Sequence, residues 1–134
     1  MDLKLELNKY LFERSRVHFD WGTNNCSTFA IQWISRVSAR PVLNQFLIQR
    51  SGSAAETKVH LMRLGVKNII EITDRYYSRK DEPELGDLVA FRSSASGPLE
   101  YSFGIFTGDN IAVMSERGIV FLRQNRIEVI WDIF

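Results

Sequence analysis

A single cysteine, Cys26, occurs in this sequence, and only two histidines, His18 and His60. One thiol cannot close an internal disulfide, so the fold is not expected to depend on oxidation. One cysteine and two separated histidines also lack the clustered ligand spacing of a zinc site, so no metal is expected. Charge of one sign is not in excess. Seventeen basic residues face sixteen acidic ones, a formal net charge of +1, which implies no broad attraction to nucleic acid or to an anionic membrane. No stretch approaches the about 18 consecutive apolar residues of a membrane span. The N-terminal MDLKLELNKYLFERSR carries charges throughout and has no apolar centre of signal-peptide length. No P-loop or dinucleotide fingerprint is present, and no cofactor is expected. Internal repeats and low-complexity tracts are missing as well. Together these absences predict a soluble protein made in a cytosol, free to be built into a larger particle afterwards.

What is present reads as one globular domain over residues 1–134. The 134-residue chain is long enough to bury a core without disulfides or metals. It changes character midway, mainly helical over 1–80 and mainly β over 85–134. Leu3, Leu7, Tyr10, Leu11 and Val17 fall at helical spacing, which predicts a first helix ending near Phe19-Asp20-Trp21-Gly22. Cys26, Phe29, Ala30, Trp33, Ile34 and Val37 form the clearest amphipathic pattern. Thr23, Asn24 and Asn25 before them offer side-chain oxygens for first-turn amides, and Arg40-Pro41 breaks the pattern. A short helix is expected through Val42, Phe46 and Leu47. Ser51-Gly52-Ser53 reads as a loop, and 54–64 as a helix stopped by Gly65. Residues 67–77 read as helix, with Ile69, Ile70 and Ile72 leaving a strand open. Residues 78–84 are charged, contain Pro83 and read as a surface connection. Short apolar runs follow at 88–91, 101–107, 111–114, 119–122 and 127–134, separated by turn signals such as Gly108-Asp109-Asn110 and Glu116-Arg117-Gly118. The expected fold class is α+β, with N-terminal helices packed on a C-terminal antiparallel meander.

Cys26 supports two readings. A cysteine in the first turn of a helix meets the positive end of the dipole and free amides, which favour the nucleophilic thiolate. It is also a small apolar residue that opens a buried stripe. Catalysis would need a base and a group to orient it. His18 and His60 are the candidate bases, and each also fits a packed or surface role. Asp81, Glu82 and Glu84 read as a solvated connection, and Arg36, Arg40 and Arg50 as surface charges. Phe19, Trp21, Phe29 and Trp33 read as core, with a stacking platform as the alternative.

The order of three motifs carries a resemblance. Phe19-Asp20-Trp21-Gly22-Thr23-Asn24-Asn25-Cys26, then Pro83-Glu84-Leu85-Gly86-Asp87-Leu88-Val89-Ala90-Phe91, then Phe103-Gly104-Ile105-Phe106-Thr107-Gly108 resemble the nucleophile segment and first two sheet strands of NlpC-type peptidases. These are a branch of the papain-like cysteine peptidases. The resemblance implies a papain-like fold with Cys26 at the nucleophile position. In the PELGD motif, Gly86 suits a tight turn and Asp87 can accept from the turn's amides. The leading helix and the runs IAVM and GIVFL further resemble a small branch encoded by tailed bacteriophages, whose members look like virion or tail components.

Departures from the family pattern bear on function. Ser102, preceded by Tyr101, stands where active relatives carry the catalytic histidine. Asn25 replaces the aspartate before the cysteine. The orienting position falls near Asn110 to Ala112. The resemblance thus implies a structural or adaptor component of a phage virion, in the tail, hub or connector region, without its general base. Other virion proteins are the expected partners, and the apolar run between Glu128 and Phe134 is one possible surface for them, as an edge strand in need of cover. The same run also reads as packing within the domain's own sheet. The alternative function is an active cysteine peptidase or amidase cleaving peptidoglycan peptides as a phage enters its host. A third is a regulator that binds peptides in the old cleft.

Overall fold

Asp2 starts the first helix by accepting from the Leu5 amide at 3.1 Å. In the computed structural model, which describes residues 1–20, 25–41, 43, 54–95 and 97–134, this helix, α1, spans Leu3–Ser15. It stops earlier than the apolar spacing predicts. The Arg16 and Val17 amides bond back three residues, to the Glu13 and Arg14 carbonyls, which tightens and ends the last turn. Val17 is exposed rather than part of the core. Helix α2 spans Cys26–Val37, α3 Ala54–Arg63 and α4 Ile69–Asp74. Gly65 follows α3 at φ +73°, as a helix-stopping glycine should. Asn68 caps α4 by accepting from the Ile70 and Glu71 amides, so the isoleucines of 67–77 belong to a helix. Val42, Phe46, Leu47 and Ser51-Gly52-Ser53 lie outside the described residues.

Six strands follow: β1 Ser78–Lys80, β2 Leu88–Arg92, β3 Tyr101–Phe106, β4 Asn110–Ser115, β5 Gly118–Arg123 and β6 Ile127–Asp132. They form one antiparallel sheet in the order β1-β6-β2-β3-β4-β5. Strands β2 to β5 are a meander, as expected. Two expectations need correction. The polar Ser78-Arg79-Lys80 is a strand, not a plain connection. It carries no apolar alternation that could reveal it, and is held by pairing to β6 and by the Arg79 fork on Asp74 at 2.7 and 2.9 Å. The Glu128 to Phe134 run is not an open edge. β6 crosses back and inserts between β1 and β2, which buries Trp131 and Ile133. The edge argument for a partner there therefore loses its basis.

Both faces of the sheet are apolar. On one, Leu88, Ala90, Phe103, Ile105 and Trp131 pack with Leu7, Tyr10, Phe29, Trp33 and Ile34 of the helices. On the other, Val89, Phe91, Phe106, Ile111, Val113 and Ile130 form a second cluster. Strands buried on two faces read as continuous apolar runs rather than as alternation. Gly104 lets β4 come close, because a Cβ there would lie 2.3 Å from the Ile111 Cγ2.

Arg36, read as a surface charge, ties α2 to α1 through Glu6 at 3.1 Å and Glu13 at 2.7 Å. The Tyr10 hydroxyl donates to the Phe29 carbonyl across the same junction. Arg40 likewise has a backbone partner, donating to the Tyr76 carbonyl at 3.3 Å. Phe29 and Trp33 are fully buried, which excludes them from a stacking platform.

The turn before β2 joins these layers. Gly86 has φ +89°, and the space its missing Cβ leaves is filled by Leu3 and Phe134. Its amide donates to the Phe106 carbonyl at 2.7 Å, and its carbonyl accepts from the Trp33 indole at 2.9 Å. Next to it Asp87, 1% exposed, accepts from the Glu84 amide at 2.8 Å and from the Lys80 ammonium at 2.7 Å, both on Oδ2. Its Oδ1 is buried without a partner among the described residues. Burial pushes the Asp87 carboxyl above its ordinary range, and the Lys80 and Glu84 contacts only partly offset this. Burial opposes the Lys80 charge too, but the bond to Asp87 and the nearby carboxylates outweigh it and raise that group.

Two outcomes follow from this packing. Gly104→Ala should destabilise the protein by about 1–3 kcal/mol, read from denaturant melts, because the added methyl must displace a buried isoleucine. Lys80→Met strands a buried carboxylate and should cost about 3 kcal/mol at neutral pH. A raised acid contributes stability while protonated and loses it as pH rises through its folded value. The Lys80→Met penalty should therefore shrink on acidification; a penalty flat from pH 4 to 7 would mean that Asp87 does not feel the ammonium.

Candidate functional site

The start of α2 is built by Asn25. Its side chain accepts from the Ser27 and Thr28 amides, both at 2.9 Å, while its own amide donates to Thr28 Oγ1 at 2.7 Å. This reciprocal box satisfies first-turn donors and fixes the helix entrance. Of the three expected caps, Asn25 serves; Thr23 and Asn24, with Trp21, lie outside the described residues. Asn25 before the cysteine is thus a good cap. Cys26 is the first helical residue, a free thiol that is partly buried.

Helix α2 packs on β3 and β4, and Cys26 lines a cavity of about 440 Å³ at one end of these strands. Ser102 lines the same cavity. It is the second residue of β3, paired with Phe91 of β2, whose ring is another wall. Strand β3 meets β4 with Ile105 opposite Ala112 and Phe106 opposite Ile111. Continuing that register brings the end of β4 toward Ser102, and Met114 and Ser115 indeed line the cavity.

The expected orienting position, near Asn110 to Ala112, lies away from the cavity. Asn110 sits at the other end of the hairpin, bonded to Thr107, and Ile111 and Ala112 are wholly buried. None of the three lines the cavity. Because antiparallel strands run back past one another, the neighbour of Ser102 lies farther along β4.

The walls are held by local bonds. Ser115 Oγ donates to the Gly118 carbonyl at 2.8 Å, and Ser93 Oγ to the Leu99 carbonyl at 2.6 Å. Arg126 donates to the Arg92 carbonyl at 3.1 Å and lies over the Phe91 ring. Ser93, Ser115 and Arg126 are not singled out by the sequence, and Phe91 and Met114 only as strand residues. Their only signal is adjacency to strand ends, which marks no chemistry.

Neither candidate base is seen beside the thiol. His18 is exposed and is not among the cavity's lining residues. His60 lies on α3, and its side chain is outside what is described. The polar groups the cavity brings to Cys26 are hydroxyls, with Glu116 and Arg126. Such a site offers a thiol for alkylation and no imidazole, among the described residues, to take its proton. Among those residues no cluster of three or more His, Cys, Asp or Glu side chains could hold a metal ion. No described helix is long and apolar enough to cross a membrane.

Asn25→Ala removes the Oδ1 that accepts both capping bonds. It should lower stability by about 1–2 kcal/mol in thermal or denaturant melts and expose Cys26 to faster alkylation as the first turn frays. An unchanged melting point would mean that the box contributes nothing.

No curated protein matches the chain. The family described as Domain of unknown function (DUF6950) does, over residues 1–133. With the match spanning nearly every residue from α1 to the end of the sheet, the chain belongs to the DUF6950 family.

Proposed function

We propose that this protein is a structural or adaptor component of a tailed-phage virion, built on a papain-like, NlpC-type fold that has lost its catalytic base. The observation that supports the loss of catalysis is that the cavity lined by Cys26 and Ser102 has no imidazole in its walls among the described residues. In an NlpC-type reading Ser102 is the base position, and it holds a hydroxyl. A serine hydroxyl does not titrate near neutrality and cannot act as a general base there. Met114 and Ser115, next along the wall, supply no orienting carboxylate or amide. The helix-then-sheet layout with the PELGD turn before β2 fits the same reading. Assignment to a virion rests on the resemblance of the sequence to short phage-encoded chains.

The active-peptidase alternative draws on a different observation: Cys26 stands at a helix start beside a cavity large enough for a peptide side chain. It requires a base from His18, His60 or another chain.

One set of assays separates the two. The purified protein should release no peptide from peptidoglycan, and Cys26→Ser should change nothing. Digestion by the unaltered protein that vanishes in Cys26→Ser would establish the peptidase instead. In a phage encoding this chain, purified particles should contain the protein at a fixed copy number; particles without it would end the virion assignment.

A further inference from the structure

The two edges of the sheet are unlike. Strand β1 is three residues long and carries Arg79 and Lys80, both held by carboxylates. Short charged edges resist further pairing. Strand β5 is six residues long, Gly118-Ile119-Val120-Phe121-Leu122-Arg123, and among the described residues it pairs only with β4. It has no proline, no bulge in its register with β4 and no inward charge. Phe121 at its centre is 55% exposed.

Register shows which backbone groups face outward. The Thr107 amide bonds the Asn110 carbonyl, so Asn110 and, by alternation, Ala112 and Met114 direct their backbone to β3. Ile111, Val113 and Ser115 therefore bond β5, through Leu122, Val120 and Gly118. Ile119, Phe121 and Arg123 are left with amides and carbonyls pointing away from the sheet. Their side chains share one face, on which Ile119 packs against the helix-side core while Phe121 and Arg123 are exposed. Arg117, in the turn before Gly118, is exposed as well. The edge thus carries an arginine near each end with Phe121 between them.

That charge pattern chooses among occupants. A second copy pairing through all three outward residues would put Phe121 opposite its own copy and Arg123 opposite Ile119. Each Arg123 would then lie near the other chain's Arg117, and Gly118 to Arg123 supply no carboxylate to offset them. Like charges so placed oppose pairing. A strand with an apolar centre and a carboxylate at each end would meet Ile119 and Phe121 with apolar side chains and both arginines with acids.

We propose that β5 is a strand-addition site for an extended partner segment whose apolar residues are flanked by carboxylates. The added strand gains main-chain hydrogen bonds at Ile119, Phe121 and Arg123, and the flanking charges set its register and choice. This site is separate from the Cys26 cavity and does not rest on the virion assignment.

The probe is a labelled, end-blocked peptide Glu-Val-Phe-Thr-Val-Thr-Glu, compared with the same peptide carrying lysine at both ends, by fluorescence anisotropy with the full chain. The glutamate peptide should bind about tenfold tighter at low salt, and the gap should narrow as salt rises. The double variant Arg117→Glu/Arg123→Glu, both exposed positions, should reverse the preference while leaving the far-ultraviolet dichroism unchanged. Phe121→Asp should weaken both peptides. Equal binding of the two peptides, or no binding of either up to millimolar concentration, would overturn the proposal. So would concentration-dependent dimerisation of the pure protein that Phe121→Asp abolishes, since the edge would then belong to a second copy.

Discussion

The hydrogen bond from the Trp33 indole to the Gly86 carbonyl is the contact on which the other layers depend. Trp33, like Ile34, has no exposed surface, and an indole N–H buried without an acceptor would be costly. Gly86 supplies that acceptor only because its backbone takes a positive φ, which turns the carbonyl toward the helix. The same turn hands its amide to β3 and leaves a hollow that Leu3 and Phe134 fill. First helix, central helix, second sheet strand and C-terminus thus converge on one residue without a Cβ. Ser38, just past α2, donates to the Ile133 carbonyl and closes the arrangement from the other side. Asp87 then locks the turn by binding Glu84 and Lys80, at the cost of a buried carboxyl oxygen without a partner among the described residues.

Much of this was legible in the sequence where a local rule had one solution. Gly86 and Asp87 sit in a turn motif whose chemistry names their roles, and both behave accordingly. The α2 stripe predicted Phe29, Ala30, Trp33 and Ile34 as core, and they are. The five apolar runs became β2 to β6 with small changes at their ends. Illegible features were those set by pairing partners far away in the chain. Ser78-Arg79-Lys80 shows no periodicity, and only its neighbour β6 makes it a strand. The apolar run after Glu128 looked like an edge because nothing local reveals that β6 returns between β1 and β2. The early end of α1 reflects a choice between i→i+4 and i→i+3 bonding at Arg16 and Val17, too fine for apolar spacing to detect.

The site divides along the same line. Cys26 at a helix start, capped by Asn25, follows from local sequence. That Ser102 lines the same cavity does not, because its pairing with Phe91 puts its side chain on the face of the sheet away from α2. The identity of the third wall depended on strand register, and there a displacement of a few residues along β4 separates Asn110 in a turn from Met114 and Ser115 at the cavity. Motif order indicates which residues meet only as well as the pairing between strands is known.

Strand β5 links the cavity to the free edge. Its side chains alternate, so Val120 and Leu122 face the cavity while Ile119, Phe121 and Arg123 carry the outward backbone. A six-residue strand bonded on one side has about half of its backbone groups in water, and such strands lie toward the readily opened end of a protein's stability range. A strand added at that edge, as proposed above, would therefore also order the part of the cavity wall that Val120 and Leu122 form. Such a tie needs only one rigid element shared by two sites, because in a strand neighbouring residues cannot move independently.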